Sequence, residues 1–320
     1  MMPKFTVSIP AYKSKFLKEC IQSVLNQEYS DFELIILNDC SPEPVERIVE
    51  SFNDSRISYF KNDRNVGPEN LILNWNRCLN LANGEFIIIL GDDDRLDSTY
   101  LSEFELLSGK YPNLNVYHCR SKIIDETGKV LELTASWPEY ESVYESIWHR
   151  LRGLRNQFIS DFVYRRKYLI DRGGFFYLPY AWGSDDITFF IAASEAGIAH
   201  INNPIFNYRR TNLTISSTGN NEIKLQALML ADKWLVEFLK TIPKNVNDRI
   251  IHNNILKIRK RILMKKMIFL IACDLSENLF RKSLYWFKIK SYYGISSNEI
   301  IYAFFEAIKK RKIKSIAKNL

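Results

Sequence analysis

Apolar positions in the first hundred residues alternate between two periods. Residues 5–10 (FTVSIP) have strand character, and Leu17, Cys20, Ile21, Val24 and Leu25 then recur at helical spacing. FELIIL, at 32–37, is a continuous apolar strand of the kind found in a sheet covered on both faces. Pro44 opens the next helix, where its missing N–H costs nothing, and Val45, Ile48, Val49 and Phe52 form the apolar stripe. Residues 57–60 predict a third strand, 70–82 a helix, and FIIIL at 86–90 a fourth strand. Strands separated by helices of this length imply parallel β-α-β units, hence a Rossmann-like, mostly parallel open α/β sheet flanked by helices.

The middle of the chain is less regular. Residues 115–119 and 121–124, followed by 129–133 after the Glu126-Thr127-Gly128 turn, predict a hairpin on the far side of the sheet. Residues 158–165 read as a further strand. Gly173-Gly174 punctuates the chain before Trp182-Gly183-Ser184-Asp185-Asp186, and 187–196 reads as helix. From about residue 221 the pattern is helical almost to the end. The shift near 220 divides the chain into an α/β domain, 1–220, and a C-terminal helical region, 221–320.

Charge sharpens that boundary. The overall formal charge of +7 hides 23 Lys and Arg against 29 Asp and Glu in residues 1–220, and 21 against 8 in the last hundred. An acidic body and a basic tail are two surfaces with different partners. With 46% hydrophobic and 25% charged residues, disorder, collagen and disulfide scaffolds are excluded. Five dispersed cysteines without a C-x-x-C pair read as reduced thiols, and no secretory signal is visible, so a cytoplasmic location is expected. The longest uncharged apolar stretch, 267–273, is too short to span a bilayer. In the tail, Lys257, Arg259, Lys260, Arg261, Lys265 and Lys266 precede MIFLIA, while Tyr285, Trp286, Phe287, Tyr292 and Tyr293 interleave with Lys288 and Lys290. A solvated helical face and peripheral attachment to an anionic membrane leaflet both fit. Nucleic-acid binding is not expected, because no reading motif accompanies the charge.

Ligands of open α/β sheets bind beyond the carboxyl ends of the strands. The first strand ends in Pro10-Ala11-Tyr12, the second in Asn38-Asp39-Cys40-Ser41, the fourth in Gly91-Asp92-Asp93-Asp94. Carboxylates so crowded repel unless a positive charge lies between them, which points to a divalent cation, Mn²⁺ or Mg²⁺. Such ions share their shell with substrate phosphates, yet the chain has neither G-x-x-x-x-G-K-[ST] nor G-x-G-x-x-G. A nucleotide held by carboxylates and a metal, without a glycine cradle, suggests a nucleotide-sugar donor. Blander roles remain open at each position. The aspartates could form a solvated turn, Asp39 a turn cap, Asp185 or Asp186 an N-cap, and Arg209 and Arg210 a surface pair. Trp182 could be core or a sugar platform. The four histidines lack ligand spacing and read as structural.

Three blocks, TVSIPAYKSKFLKECIQSVLNQEYSDFELIILNDCSPE, NVGPENLILNWNRCLNLANGEFIIILGDDDRLD and GSDDITFFIAASEAGIAHINNPIFNYRR, together resemble a family 2 glycosyltransferase of the GT-A fold over roughly residues 4–216. The resemblance implies inverting transfer from a nucleotide-diphosphate sugar, commonly UDP, to a saccharide or lipid-linked saccharide in bacterial surface-polysaccharide assembly. It places such an enzyme on the cytosolic face of the inner membrane. It implies that Pro10, Ala11, Tyr12, Asp39, Ser41 and Asn76 contact the nucleotide. Asp93 matches the usual metal column with Asp94 beside it, and Asp92 becomes a ribose or phosphate contact. Asp185-Asp186 resembles the acceptor-side Glu-Asp pair, with Asp186 as general base and Trp182 nearby. Tyr208-Arg209 matches the Tyr-Arg that closes over the diphosphate. Two departures stand out: Gly91 replaces the usual first Asp, and Arg210-Thr211-Asn212 stands where a histidine often follows. A nucleotidyltransferase making the sugar donor, and a non-catalytic scaffold, are the competing expectations.

Overall fold

The computed structural model describes residues 2–211 and 220–318. They fall into two compact units, Met1–Ser217 and Thr218–Leu320. In the first, β1 (Phe5–Ala11), β2 (Phe32–Asn38), β3 (Ile57–Lys61) and β4 (Phe86–Ile89) are connected by α1 (Leu17–Leu25), α2 (Val45–Glu50) and α3 (Leu71–Leu81). β1 lies between β2 and β4, with β3 outside β2, and every one of these pairings is parallel. Inner strands of a sheet covered on both faces have no solvent face, so β1 buries even Thr6 and Ser8 and β4 is uniformly apolar.

Beyond β4 antiparallel strands also enter the expected open α/β sheet. After β5 (Arg95–Leu96) and α4 (Tyr100–Lys110) come β6 (Val116–Ile124), β7 (Val130–Leu133), β8 (Tyr140–Glu141), α5 (Val143–Leu151), β9 (Phe162–Arg165), α6 (Arg166–Asp171), α7 (Ser184–Ala193) and β10 (Ile198–Arg209). The strand order is β3-β2-β1-β4-β9-β6-β10-β5, with β7 on β6 and β8 on β10. β9 enters antiparallel to both β4 and β6, whereas β10 is parallel to β6. The runs at 115–119 and 121–124 are one strand, and β7 closes the expected hairpin. Of the strand expected at 158–165 only the second half forms. Ile159–Asp161 is a 3₁₀ turn.

One apolar cluster joins the inner faces of the sheet to α1 and α4, from Phe5, Val7 and Ile9 to Tyr100 and Phe104. The second unit has its own core. It comprises α8 (Asn221–Phe238), α9 (Val246–Leu275), α10 (Leu279–Ile289) and α11 (Ser297–Lys318), packed around Trp286, Ile271, Leu275 and Ile300. No helix of the described residues is long and apolar enough to cross a membrane.

Candidate active site

The turn after β4 ties the strand ends together. Asp92 accepts hydrogen bonds on one carboxylate oxygen from the backbone N–H groups of Tyr12 (2.8 Å) and Lys13 (2.7 Å), clamping the turn after β1. Burial and the neighbouring Asp93 nevertheless raise Asp92 to about 6. Asp94 accepts from the N–H of Arg209 at 2.9 Å, joining the ends of β4 and β10, and burial beside Asp93 pushes it well above the ordinary carboxylate range. Asp93 is the most accessible of the three, with 17% of its side chain exposed and Lys13 Nζ at 3.8 Å. Burial raises it too, against the pull of Lys13. Gly91 makes room for this arrangement. A Cβ on it would stand 2.7 Å from a carboxylate oxygen of Asp94.

The nucleotide side is a network centred on Asp39. Its carboxylate accepts from Asn62 Nδ2 (2.7 Å), Val66 N–H (3.0 Å) and Asn65 Nδ2 (3.0 Å). Asn62 also donates to Asn74 at 2.8 Å, and Arg77 donates to the Asn62 side-chain oxygen, Oδ1. Ser41 Oγ donates to the Tyr12 carbonyl at 2.5 Å, and Asp39 N–H to that of Ala11 at 2.9 Å. Pro10 and Ala11 lie in register with Leu37 and Asn38. The Tyr12 backbone is thus pinned while its side chain stays exposed. Asn76 is not part of this network: it accepts from Phe175 N–H at 2.8 Å beside Gly174, and Asn74, two residues earlier, is the asparagine of α3 that reaches the cluster. Asn62 and Asn65 were missed in the sequence, although they follow β3 directly and obey the same strand-end rule as Asp39.

Asp185 and Asp186 lie in the first turn of α7, where Gly183 at φ 88° is the N-cap, so neither aspartate caps the helix. Asp186 receives Arg150 Nε on both oxygens (2.8 and 3.0 Å) and Gln157 Nε2 at 2.6 Å. Burial and Asp186 raise Asp185 to about 7, with Arg150 opposing. Trp182, half-buried, follows Tyr180 and Ala181, whose φ of 58° and 52° places two side-chain-bearing residues in the left-handed region. Such backbone is retained where its surroundings over-determine it, and it clusters at ligand sites.

Residues 157–161 connect the two sides. Gln157 reaches Asp186, Phe158 stacks on Tyr208 at 3.7 Å, and Ser160 Oγ accepts from Gly91 N–H at 3.2 Å. Arg209, expected over the diphosphate, is instead fully buried. Its guanidinium donates to the carbonyls of Asp93 (2.8 Å), Asp125 and Glu126 and to Glu19 (2.8 Å), and lies 4.2 Å above the Phe16 ring. A large polar side chain this enclosed has to satisfy its donors internally. Arg210 is exposed and paired with Glu132, whereas Asn212 lies outside the described residues. His118 and His200 are buried and face each other, Nδ1 to Nδ1, at 3.2 Å.

No group of three or more His, Cys, Asp or Glu side chains among the described residues is disposed to hold a metal ion. Asp92 and Asp94 each have an oxygen committed to backbone N–H groups, leaving Asp93 as the available carboxylate. That donor set suits a hard cation of the Mg²⁺ type, which takes one or two carboxylates and completes its shell with substrate phosphates and water.

The profile described as Glycosyl transferase family 2 matches residues 6–173. Over 146 residues the chain is 34% identical to the putative colanic acid biosynthesis glycosyl transferase WcaA of Escherichia coli, covering 43% of this chain and 49% of the relative. Over 105 residues it is 38% identical to the GalNAc(5)-diNAcBac-PP-undecaprenol beta-1,3-glucosyltransferase of Campylobacter jejuni, covering 32% and 33%. The matches therefore span about half of the first relative's length and a third of the second's. The crystal structure of Staphylococcus aureus TarS 1–349 with UDP-GlcNAc superposes with a TM-score of 0.64 at 17% identity, over 96% of this chain and 89% of that one. That likeness supports the GT-A architecture.

Proposed function

The chain belongs to glycosyl transferase family 2, and on that premise we propose that it moves a hexosyl or N-acetylhexosaminyl residue from a UDP-sugar to an acceptor hydroxyl with inversion. The observation that carries the reading is a polar lip made of two hydrogen-bonded runs at the carboxyl ends of the strands. It runs from Asn62 through Asp39, Ser41 and Tyr12 to Asp92, and from Asp94 to Arg209. A nucleotide lies along this lip with its base toward Asp39 and the exposed Tyr12 ring, and its diphosphate toward Asp93. The nucleotide-binding set is then Pro10, Ala11, Tyr12, Asp39 and Ser41, with Asn62 and Asn65 added.

Asp93, with Asp94 behind it, would hold Mn²⁺ or Mg²⁺. The bound cation supplies Lewis-acid relief of the charge developing on the leaving diphosphate. Asp186 serves as general base, taking the proton that the acceptor hydroxyl loses as its oxygen attacks the anomeric carbon from the face opposite the diphosphate. Arg150 and Gln157 fix the orientation of that carboxylate. Asp185 and Trp182 belong to the acceptor side. The acceptor is a saccharide, free or lipid-linked, in surface-polysaccharide assembly. The basic C-terminal region brings the enzyme to an anionic membrane surface on the cytosolic side.

Isothermal titration with UDP and Mn²⁺ tests the site. Asp93→Ala is expected to weaken UDP binding, whereas Asp186→Asn keeps it and lowers transfer by about 10²–10⁴-fold, the usual worth of a positioned base. Absence of UDP binding by the unaltered protein overturns the reading. Binding without donor hydrolysis or transfer for any nucleotide sugar would favour a non-catalytic scaffold, a reading consistent with Arg209 being bonded within the protein.

A further inference from the structure

Helix α10 is apolar on two sides, and the second unit covers only one of them. Trp286 is buried, with its Nε1 donating to Asp274 at 2.8 Å, while Lys282 donates to the other oxygen of the same carboxylate at 2.8 Å. The opposite side carries Phe280, Leu284 and Phe287, which are 80%, 75% and 39% exposed. Their spacing of four and three residues places them on one face. Large apolar side chains gathered on one exposed helix face mark a contact surface, unlike the single exposed apolar residues common on proteins.

The charges around this stripe select its partner. Arg281 and Lys288 are exposed and have no acidic partner among the described residues. The segment 279–292 contains no Asp or Glu. A second copy of the chain would bring this basic surface against itself, within a region that carries 21 Lys and Arg against 8 Asp and Glu. Like charges in apposition oppose that pairing. An anionic lipid surface reverses the sign: it attracts the cations and offers an acyl boundary to the rings between them.

We propose that α10 lies in the headgroup layer of an anionic bilayer, with Phe280, Leu284 and Phe287 inserted and Arg281 and Lys288 at the phosphates. This deepens the membrane attachment suggested above by naming its element. The orientation follows from the helix itself, with Trp286 turned into the protein core and the opposite stripe turned into the lipid.

Co-sedimentation of the full chain with vesicles tests this, without donor or acceptor present. The vesicles are phosphatidylcholine alone or phosphatidylcholine mixed with phosphatidylglycerol. The unaltered chain is expected to pellet with the mixed vesicles and to stay in solution with phosphatidylcholine alone. The double variant Phe280→Gln, Leu284→Gln should partition about tenfold less, because it removes most of the inserting apolar area. Arg281→Gln with Lys288→Gln should cost a similar factor, about tenfold, at low salt and less at high salt. All four side chains are exposed, so helix content by circular dichroism should stay unchanged, and polar glutamines keep the helix. Equal partitioning of the apolar double variant overturns the proposal, as does an unaltered chain that remains in solution with the mixed vesicles. Light scattering that finds a dimer dispersed by Phe280→Gln, Leu284→Gln assigns the face to a second copy instead. UDP titration of the same samples keeps this outcome separate from the fate of the transferase reading, since neither variant replaces a residue of the donor lip.

Discussion

Asp185 and Gly91 are where single atoms decide how the site behaves. Burial, then the adjacent Asp186, lifts Asp185 from the ordinary aspartate range to about 7. The folded state therefore holds a proton there that the unfolded chain has already released. Stability from this group is present at acid pH and falls as pH rises from about 4 to about 7. Asp185→Asn keeps the side chain neutral throughout, so its thermal unfolding should match the unaltered protein at acid pH. At alkaline pH it should exceed it, by about 1–3 kcal/mol. Identical melting temperatures across the range would show that Asp185 ionises without penalty. At Gly91 the constraint is steric. Gly91→Asp would restore the residue the family usually carries, yet its Cβ would stand 2.7 Å from the Asp94 carboxylate. The Asp94 bond to Arg209 N–H would have to yield, so UDP binding in the presence of Mn²⁺ should weaken about tenfold or more, the scale of a lost charge-assisted hydrogen bond. Titration of that variant measures it directly.

Among the elements, β10 and the 157–161 turn organise the site, and neither is evident from periodicity. β10 carries Asn202-Asn203-Pro204 across a register shift, which breaks the alternation that marks a strand. The Phe158–Asp161 stretch has strand-like composition but closes as a turn because Asp161 accepts from Phe158 N–H at 2.7 Å. By contrast, β1, β2 and β4 and their strand-end residues were legible, because a strand buried on both faces has to be apolar and its end has to be polar. Arg209 illustrates the limit: an arginine at a strand end reads as a phosphate ligand, and only packing reveals the carbonyls that hold it. The same packing builds a buried polar cluster between β6, β8 and β10. Arg155 donates to both oxygens of Glu141 and lies 4.1 Å above the Trp137 ring, which stacks on His118. Burial alone would raise Glu141, but His200 and Arg155 outweigh it and lower the carboxyl to about 2. That contribution is present above the ordinary glutamate pKa and is lost as pH falls from about 4 toward 2. Glu141→Gln leaves Arg155 buried without its counter-charge and should destabilise the fold by about 3–5 kcal/mol, read from chemical unfolding at neutral pH.

For the whole molecule, the two units differ in charge and each holds its own apolar core. Phe5, Ile36, Ile88 and Phe104 belong to one cluster, and Leu225, Ile271, Trp286 and Ile300 to another. A unit with its own core satisfies the first requirement for folding alone. The electrostatic consequence is a molecule whose N-terminal 220 residues carry an excess of acids while its last hundred carry an excess of bases. On the proposed membrane attachment, the basic tail is the part that an anionic bilayer attracts. Detachment of the tail should then change location without changing donor chemistry. A chain ending at Ser217 is expected to fold with a single cooperative transition and to bind UDP with Mn²⁺ as the full chain does. It should stay in solution with phosphatidylglycerol-containing vesicles at every salt concentration. Vesicle binding by that shortened chain would place membrane attachment in the α/β unit. Loss of its UDP affinity would mean that the donor lip needs the helical unit to hold its shape.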